Sequence, residues 1–119
     1  MREMKAEDDD FLDDRRDLGE IEVEKYFAVY YEEQWYIGRV TNIKESTCVI
    51  KFLKPDLELF NWPNHDDIDE VEKSYIFYGP ISLIGNGPFT LKRSDFVKIK
   101  SLFQNKKKEM QESLKNNQV

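Results

Sequence analysis

The chain has one cysteine, Cys48, and one histidine, His65. A lone cysteine excludes an internal disulfide and a Cys-rich zinc site. Beside Val49 in an apolar stretch, Cys48 reads as a small buried hydrophobe. A lone imidazole in the acidic stretch 64–72, NHDDIDEVE, is a poor ligand set for zinc or another transition metal. The acids around it lack the spacing of a calcium loop, so no metal or cofactor is expected. Nucleophilic catalysis needs a nucleophile beside an oriented base. Cys48 and His65 lie in segments that give no reason for them to meet, and the chain is not expected to be an enzyme. Gly85 and Gly87 frame a turn with no Lys-Ser/Thr behind it, which is not a phosphate loop. The longest apolar run is far below the roughly 18–20 residues that span a bilayer, so no membrane association is expected. Met1 is followed by charged residues rather than an apolar signal core, which makes an intracellular, reducing compartment the expectation.

Apolar residues are also sparse, at 39% of 119 residues, while charged residues reach 35%, against about 25% in ordinary globular chains. The imbalance sits at the ends. Residues 1–24 hold 11 acids and 4 bases, a net of −7, and residues 89–119 hold 3 acids and 8 bases, a net of +5. The middle, 25–88, carries −4 from 10 acids and 6 bases, and the whole chain carries −6. This pattern predicts an acidic flexible arm over 1–23, a folded domain over 24–105 and a basic flexible tail over 106–119. Phe11, Leu12 and Leu18 make the arm a candidate acidic-hydrophobic motif for a partner or for the chain's own basic tail.

The clearest stretch is 26–53, YFAVYYEEQWYIGRVTNIKESTCVIKFL. Phe27, Val29, Ile37, Val40, Ile43, Val49 and Phe52 are set among polar residues with roughly the two-residue period of a half-buried sheet. Aromatic and β-branched residues dominate, as strands prefer. Glu32-Glu33-Gln34 and Lys44-Glu45-Ser46 read as the connections of three antiparallel strands. Gly38 inside the second strand predicts a bulge. Pro55 is expected to end the third strand's ladder, since it has no N–H to donate.

Beyond it, Phe60-Asn61-Trp62-Pro63 places two large aromatics two residues apart. Trp62 is expected to pin this long connection to the domain. Ser74 to Ile84 reads as a strand interrupted at Gly79-Pro80, Gly85 to Pro88 as a turn, and Phe89 to Leu91 as a last short strand. Ser94 is the expected cap of a helix running to about Asn105, with Asp95 in the first turn and Phe96, Ile99, Leu102 and Phe103 on its packing face. Four or five strands followed by one helix predict a mainly β fold, a small SH3-like antiparallel barrel with a C-terminal helix, rather than a βαβ fold.

The aromatics carry the functional signal. Alternation along the first strand puts Phe27 and Val29 on one face and Tyr26, Ala28 and Tyr30 on the other. An exposed tyrosine row at a barrel mouth suits either a peptide groove or a cage for a methylated Lys or Arg, through cation–π attraction of about 0.5–2 kcal/mol per contact. The pattern AVYYEEQWYIGRVTNI…CVIKF resembles the first three strands of Tudor-like domains. The resemblance implies a cage from Tyr30, Tyr36 and Phe52. Where that family places a second aromatic and a polar residue, this chain has Leu53-Lys54-Pro55-Asp56. Asp56 is the polar candidate there, and Trp62 or Phe60 would complete the cage by folding back. The longer arrangement from Tyr26 to Phe103, with its F-x-W-P element, is similar to a small module of invertebrate and transposon-derived proteins. The two resemblances imply a protein-interaction module of a nuclear, chromatin-associated protein, with the cytoplasm as the alternative setting.

Two other partners fit the residues. Lys98, Lys106, Lys107 and Lys108 are candidate phosphate contacts for a nucleic acid, although the acidic domain would repel a polyanion. Residues 74–78, SYIFY, together with the apolar helix face, form a candidate surface for a homodimer.

Overall fold

The structure, a computed structural model, describes residues 17–117, with side chains given through Glu112. It is a mainly β domain. Five strands form one antiparallel sheet: β1 (Tyr26–Tyr31), β2 (Gln34–Ile43), β3 (Thr47–Phe52), β6 (Ile68–Glu72) and β7 (Ile76–Ile81). A separate two-stranded hairpin consists of β4 (Lys54–Asp56) and β5 (Leu59–Asn61), and α1 (Arg93–Asn117) closes the chain. The strand order is β6-β3-β2-β1-β7, so the first strand lies between two neighbours and the last two strands form the edges.

The sheet curls without closing. Val71 on one edge strand and Ile76 on the other belong to the same buried cluster, with Phe27, Val29, Val40, Cys48, Ile50 and Phe52. A single 3-10 turn, Lys73–Tyr75, carries the chain from β6 to β7, and no ladder joins the two edges. This is the small β domain with a C-terminal helix that the sequence predicts, as a curled sheet rather than a sealed barrel.

The other face of the sheet holds a second cluster. Ala28, Tyr30 and Ile37 pack with Leu53, Phe60, Phe77 and Ile81, and Ile99 and Phe103 of α1 cover them. β1 is therefore buried on both sides: Phe27, Ala28 and Val29 have no exposed surface and Tyr30 keeps 7%. Tyr30 is not part of an exposed row, because the helix and the β4–β5 hairpin occupy the face that alternation assigned to solvent. SYIFY is likewise mostly spent within the domain, since Ile76 and Phe77 are buried in the two clusters.

The β1–β2 connection has two residues, not three. Tyr31 pairs with Gln34, and Glu32 and Glu33 both lie in the left-handed region at φ of 53° and 65°. That is the backbone of a type I′ hairpin, whose twist matches the flanking strands. Asn-Gly is the usual occupant, and two glutamates there hold a conformation that costs L-residues about 1–2 kcal/mol each.

Gly38 sits in regular pairing with Phe27 and Phe52, and the irregularity in β2 falls between Val40 and Asn42 instead. What requires glycine at position 38 is close approach: a Cβ there would lie 2.3 Å from the Ile50 methyl. Pro55 does not stop strand formation. It opens the β4–β5 hairpin, pairing with Phe60 through a turn at Leu57–Glu58; β4 is the outer strand of this ribbon, where one missing N–H is tolerated, while Phe60 bridges Phe89 on the other side.

α1 begins at Arg93, so Ser94 lies inside it, and the first-turn bond runs from the Phe96 N–H to the Lys92 carbonyl. The helix also continues past Asn105 to Asn117. Residues 1–16 of the acidic arm lie outside the described residues. Asp17 to Val23 are held on the domain: Leu18 and Ile21 pack on the first cluster, and the Gly19 N–H donates to the Gly79 carbonyl at 2.7 Å.

Two substitutions separate packing from turn strain. Gly38→Ala should lower unfolding stability by about 1–3 kcal/mol through overpacking against Ile50. Glu33→Gly should raise it by about 1 kcal/mol through relief of the left-handed turn. Urea titrations of both variants beside the wild type check the opposite signs.

Candidate functional site

With the two-residue turn, Val29 faces Tyr36 across the ladder and Gly38 faces Phe52. Directly opposed residues share a face, so Tyr31, Tyr36 and Phe52 all project from the face opposite Tyr30. There they form an aromatic triad. Ring centroids are 5.1 Å apart for Tyr31–Phe52, 6.0 Å for Tyr36–Phe52 and 6.1 Å for Tyr31–Tyr36. Both Tyr36 contacts are edge-on at 75°, the arrangement that ring quadrupoles favour. Phe52 is the buried floor, and Tyr31 and Tyr36 are half-buried walls.

Acidic residues border the triad. β6 pairs with β3 so that Asp69 opposes Ile50, which puts Asp69 on the triad's face, where its carboxylate accepts a hydrogen bond from the Tyr31 hydroxyl. That bond, reinforced by burial, pushes the Tyr31 pKa up to about 12. The same bond, together with one from the Glu70 N–H, holds the Asp69 carboxyl below its ordinary value. The Phe52 N–H donates to the Asp67 carbonyl at 2.8 Å, anchoring the acidic loop beside the aromatic floor.

Between this loop and the β4 segment lies a cleft of about 460 Å³, walled by Tyr36, Pro55, Pro63 and His65, with Asp66 and Asp67 at its acidic side. Lys54 also lines it, and Lys51 approaches Asp66 at 3.6 Å. The three rings touch one another, leaving no gap between them for an ammonium. Tyr36 is the one ring of the three that lines this cleft.

No family model, curated protein or solved structure matches this chain.

The structure brings together two of the five residues expected to form a cage, Tyr36 and Phe52. Tyr30 lies beneath the helix, 5.9 Å from the Phe103 ring centroid. Trp62 packs at 6.2 Å on Tyr26 and has Arg39 and Lys51 over its ring at 5.4 and 5.0 Å. It pins the connection to the sheet as expected, but its ring already carries the chain's own cations and stands apart from the triad. Asp56 is exposed on β4 and lines a different cleft, with Asn61, Trp62 and Asn64.

Tyr31 and Asp69 were not singled out by sequence reasoning. The signal for Tyr31 is the turn length: a two-residue loop makes Tyr31, rather than Tyr30, the same-face neighbour of Tyr36. A one-residue register change exchanges the two faces of a strand.

The lysines expected as phosphate contacts are spread around α1. Lys106, Lys107 and Lys108 are successive helical residues, about 100° apart around the axis. Lys98 is paired with Asp17 at 3.4 Å, Lys106 with Glu109 at 3.6 Å, and Lys107 lies over the Phe103 ring at 5.9 Å. Among the described residues no group of three or more His, Cys, Asp or Glu side chains is placed to hold a metal ion.

Three tyrosines should resist ionisation: Tyr30 through burial, Tyr31 through its bond to Asp69, and Tyr78 through burial and its bond to Asp95. The sign for Tyr31 follows from its raised value: the neutral phenol is favoured in the fold. Its stabilisation is complete below pH 10 and lost as pH rises towards 12. In an absorbance titration of the phenolates, Tyr31→Phe should remove one late-titrating group while leaving those of Tyr30 and Tyr78.

Proposed function

We propose that this domain is a non-catalytic interaction module that seats a cationic side chain of a protein partner, a methylated Lys or Arg, in the cleft beside Tyr36. The observation that supports this reading is the meeting of aromatic faces and carboxylates on one side of the sheet. Tyr31, Tyr36 and Phe52 form a continuous aromatic surface, and Asp66, Asp67 and Asp69 lie along its border.

The physical case has two parts. A ring face attracts a cation electrostatically, and carboxylates near that face add to the negative potential. Methylation removes N–H donors and spreads the charge over carbon, so the modified cation gives up less hydration when it leaves water for an aromatic and proline-lined cleft. Pro55 and Pro63 supply apolar walls without donors of their own. The short segments flanking a modified side chain would lie along the acidic loop, where basic neighbours are favoured. The Tudor-like resemblance of the first three strands supports the same class of ligand, and a nuclear, chromatin-associated partner is the setting in which such marks occur.

Isothermal titration with peptides that differ only in one Lys, unmodified or trimethylated, and one Arg, unmodified or dimethylated, tests the reading. A methylated peptide should bind more tightly than its unmodified twin. Tyr36→Ala should weaken that binding by about 2- to 30-fold, the equivalent of 0.5–2 kcal/mol. Asp67→Asn should weaken it further at low salt than at high salt. Equal affinity for modified and unmodified peptides, or no loss in a folded Tyr36→Ala variant, would sink the proposal.

A further inference from the structure

The tip of the β4–β5 hairpin carries a leucine under two adverse conditions at once. Leu57 is 96% exposed and sits at a φ of 58°, the left-handed region. Glycine or asparagine would hold that turn at less conformational cost, and a polar residue would suit the exposure. Among the described residues, no contact buries the Leu57 side chain.

Beside this knob is a hole. A cavity of about 360 Å³ lies between Trp35, Pro55, Phe60 and Phe96, with Leu57 on its rim. It is walled by rings: Trp35 stands 6.3 Å from Phe60 and 6.0 Å from Phe96 between centroids. The apolar surface continues past the rim through Leu59, 38% exposed, and Val97, 56% exposed.

We propose that two copies of this chain dock here about a twofold axis, Leu57 of each entering the ring-walled cavity of the other. The second copy is the occupant that the charges select. Asp56 and Glu58 flank the knob, whereas Phe96 brings α1 to the cavity with Lys100 lying 5.2 Å over its ring, and Arg93 lines the neighbouring cleft that shares Phe96. Glu58 and Arg93 both line that neighbouring cleft of about 200 Å³, and Phe96 lines it and the cavity, so the acidic knob and the basic start of α1 belong to one continuous patch. A twofold contact needs such a patch, self-complementary in shape and charge. The positive end of the α1 dipole adds to the attraction for the partner's acidic tip. The surface shares Phe96 with the helix face expected from the sequence but not SYIFY, whose Ile76 and Phe77 the fold buries; Tyr36 and Pro55 line both this cavity and the peptide cleft, whereas Asp66 and Asp67 line the peptide cleft alone.

Sedimentation of the full chain from low micromolar to millimolar concentration tests the inference. The mass should rise from 14.3 kDa towards twice that value. Leu57→Gly should keep the mass at the monomer value throughout and raise the thermal midpoint, because the turn strain is relieved. Asp56→Lys with Glu58→Lys should abolish association, as should Arg93→Glu with Lys100→Glu, and mixing the two charge-reversed proteins should restore a dimer, since both contacts in the mixed pair are then complementary. Near-UV circular dichroism establishes that each variant is folded. A monomer at every concentration, or a dimer unchanged by Leu57→Gly, would overturn the proposal, as would charge-reversed proteins that fail to associate on mixing.

Discussion

Burial of β1 on both faces is the constraint on which this small domain depends. One face of the strand gives Phe27 and Val29 to the inside of the curled sheet, and the other gives Ala28 and Tyr30 to the helix. Fully burying a large apolar side chain stabilises by about 1.5–3 kcal/mol, so a strand that does so in both directions ties two cores together. The rest of the architecture answers this demand. β7 must pair on the free side of β1, the hairpin must supply Phe60 from outside the sheet, and α1 must lay Ile99 and Phe103 over Tyr30.

Register converts that constraint into a site. The left-handed pair Glu32–Glu33 sets Val29 opposite Tyr36, and the pairing is then carried across β2 and β3 to Phe52 and on to β6. The aromatic triad and Asp69 are consequences of one turn, since a shift of a single residue would have delivered Tyr30 to this face and Tyr31 to the helix. The short hydrogen-bonded link between Tyr31 and Asp69 joins the first strand of the sheet to its edge. It also keeps a carboxylate charged beside aromatic rings, an environment suited to a cation and hostile to an anion. The Trp62 ring shows the same chemistry already satisfied, with Arg39 and Lys51 lying over it.

Much of the fold was legible in the residues. Period-two alternation marked the three strands between Tyr26 and Leu53, the helical spacing of Phe96, Ile99 and Phe103 marked the covering helix, and Trp62 was recognisable as the pin of its connection. The β4–β5 hairpin was not legible, because Pro55 reads as a terminator and Leu57 as an improbable turn residue. The helix beyond Asn105 was missed for a related reason: apolar periodicity fades there, while Lys, Glu, Gln and Met keep good intrinsic helix propensity. Of the aromatic residues that the resemblance implied for a cage, the structure sets Tyr36 and Phe52 together, with Tyr31 rather than Tyr30 beside them. Reading Gln34 as part of the loop moved the expected register by one.

By itself the sequence determined composition and local preference: the absence of a cysteine framework, the acidic head and basic tail, the strand-rich middle and the final helix. These depend on residue type and on spacing within a few positions, so they can be read along one dimension. Only the tertiary structure decided which face of β1 the helix covers, which tyrosine joins Tyr36 and Phe52, and that Leu57 stands exposed beside a ring-walled cavity. Those outcomes are set by strand register and by which distant element occupies a given face. Alternation distinguishes the two sides of a strand, but it does not say what each side meets.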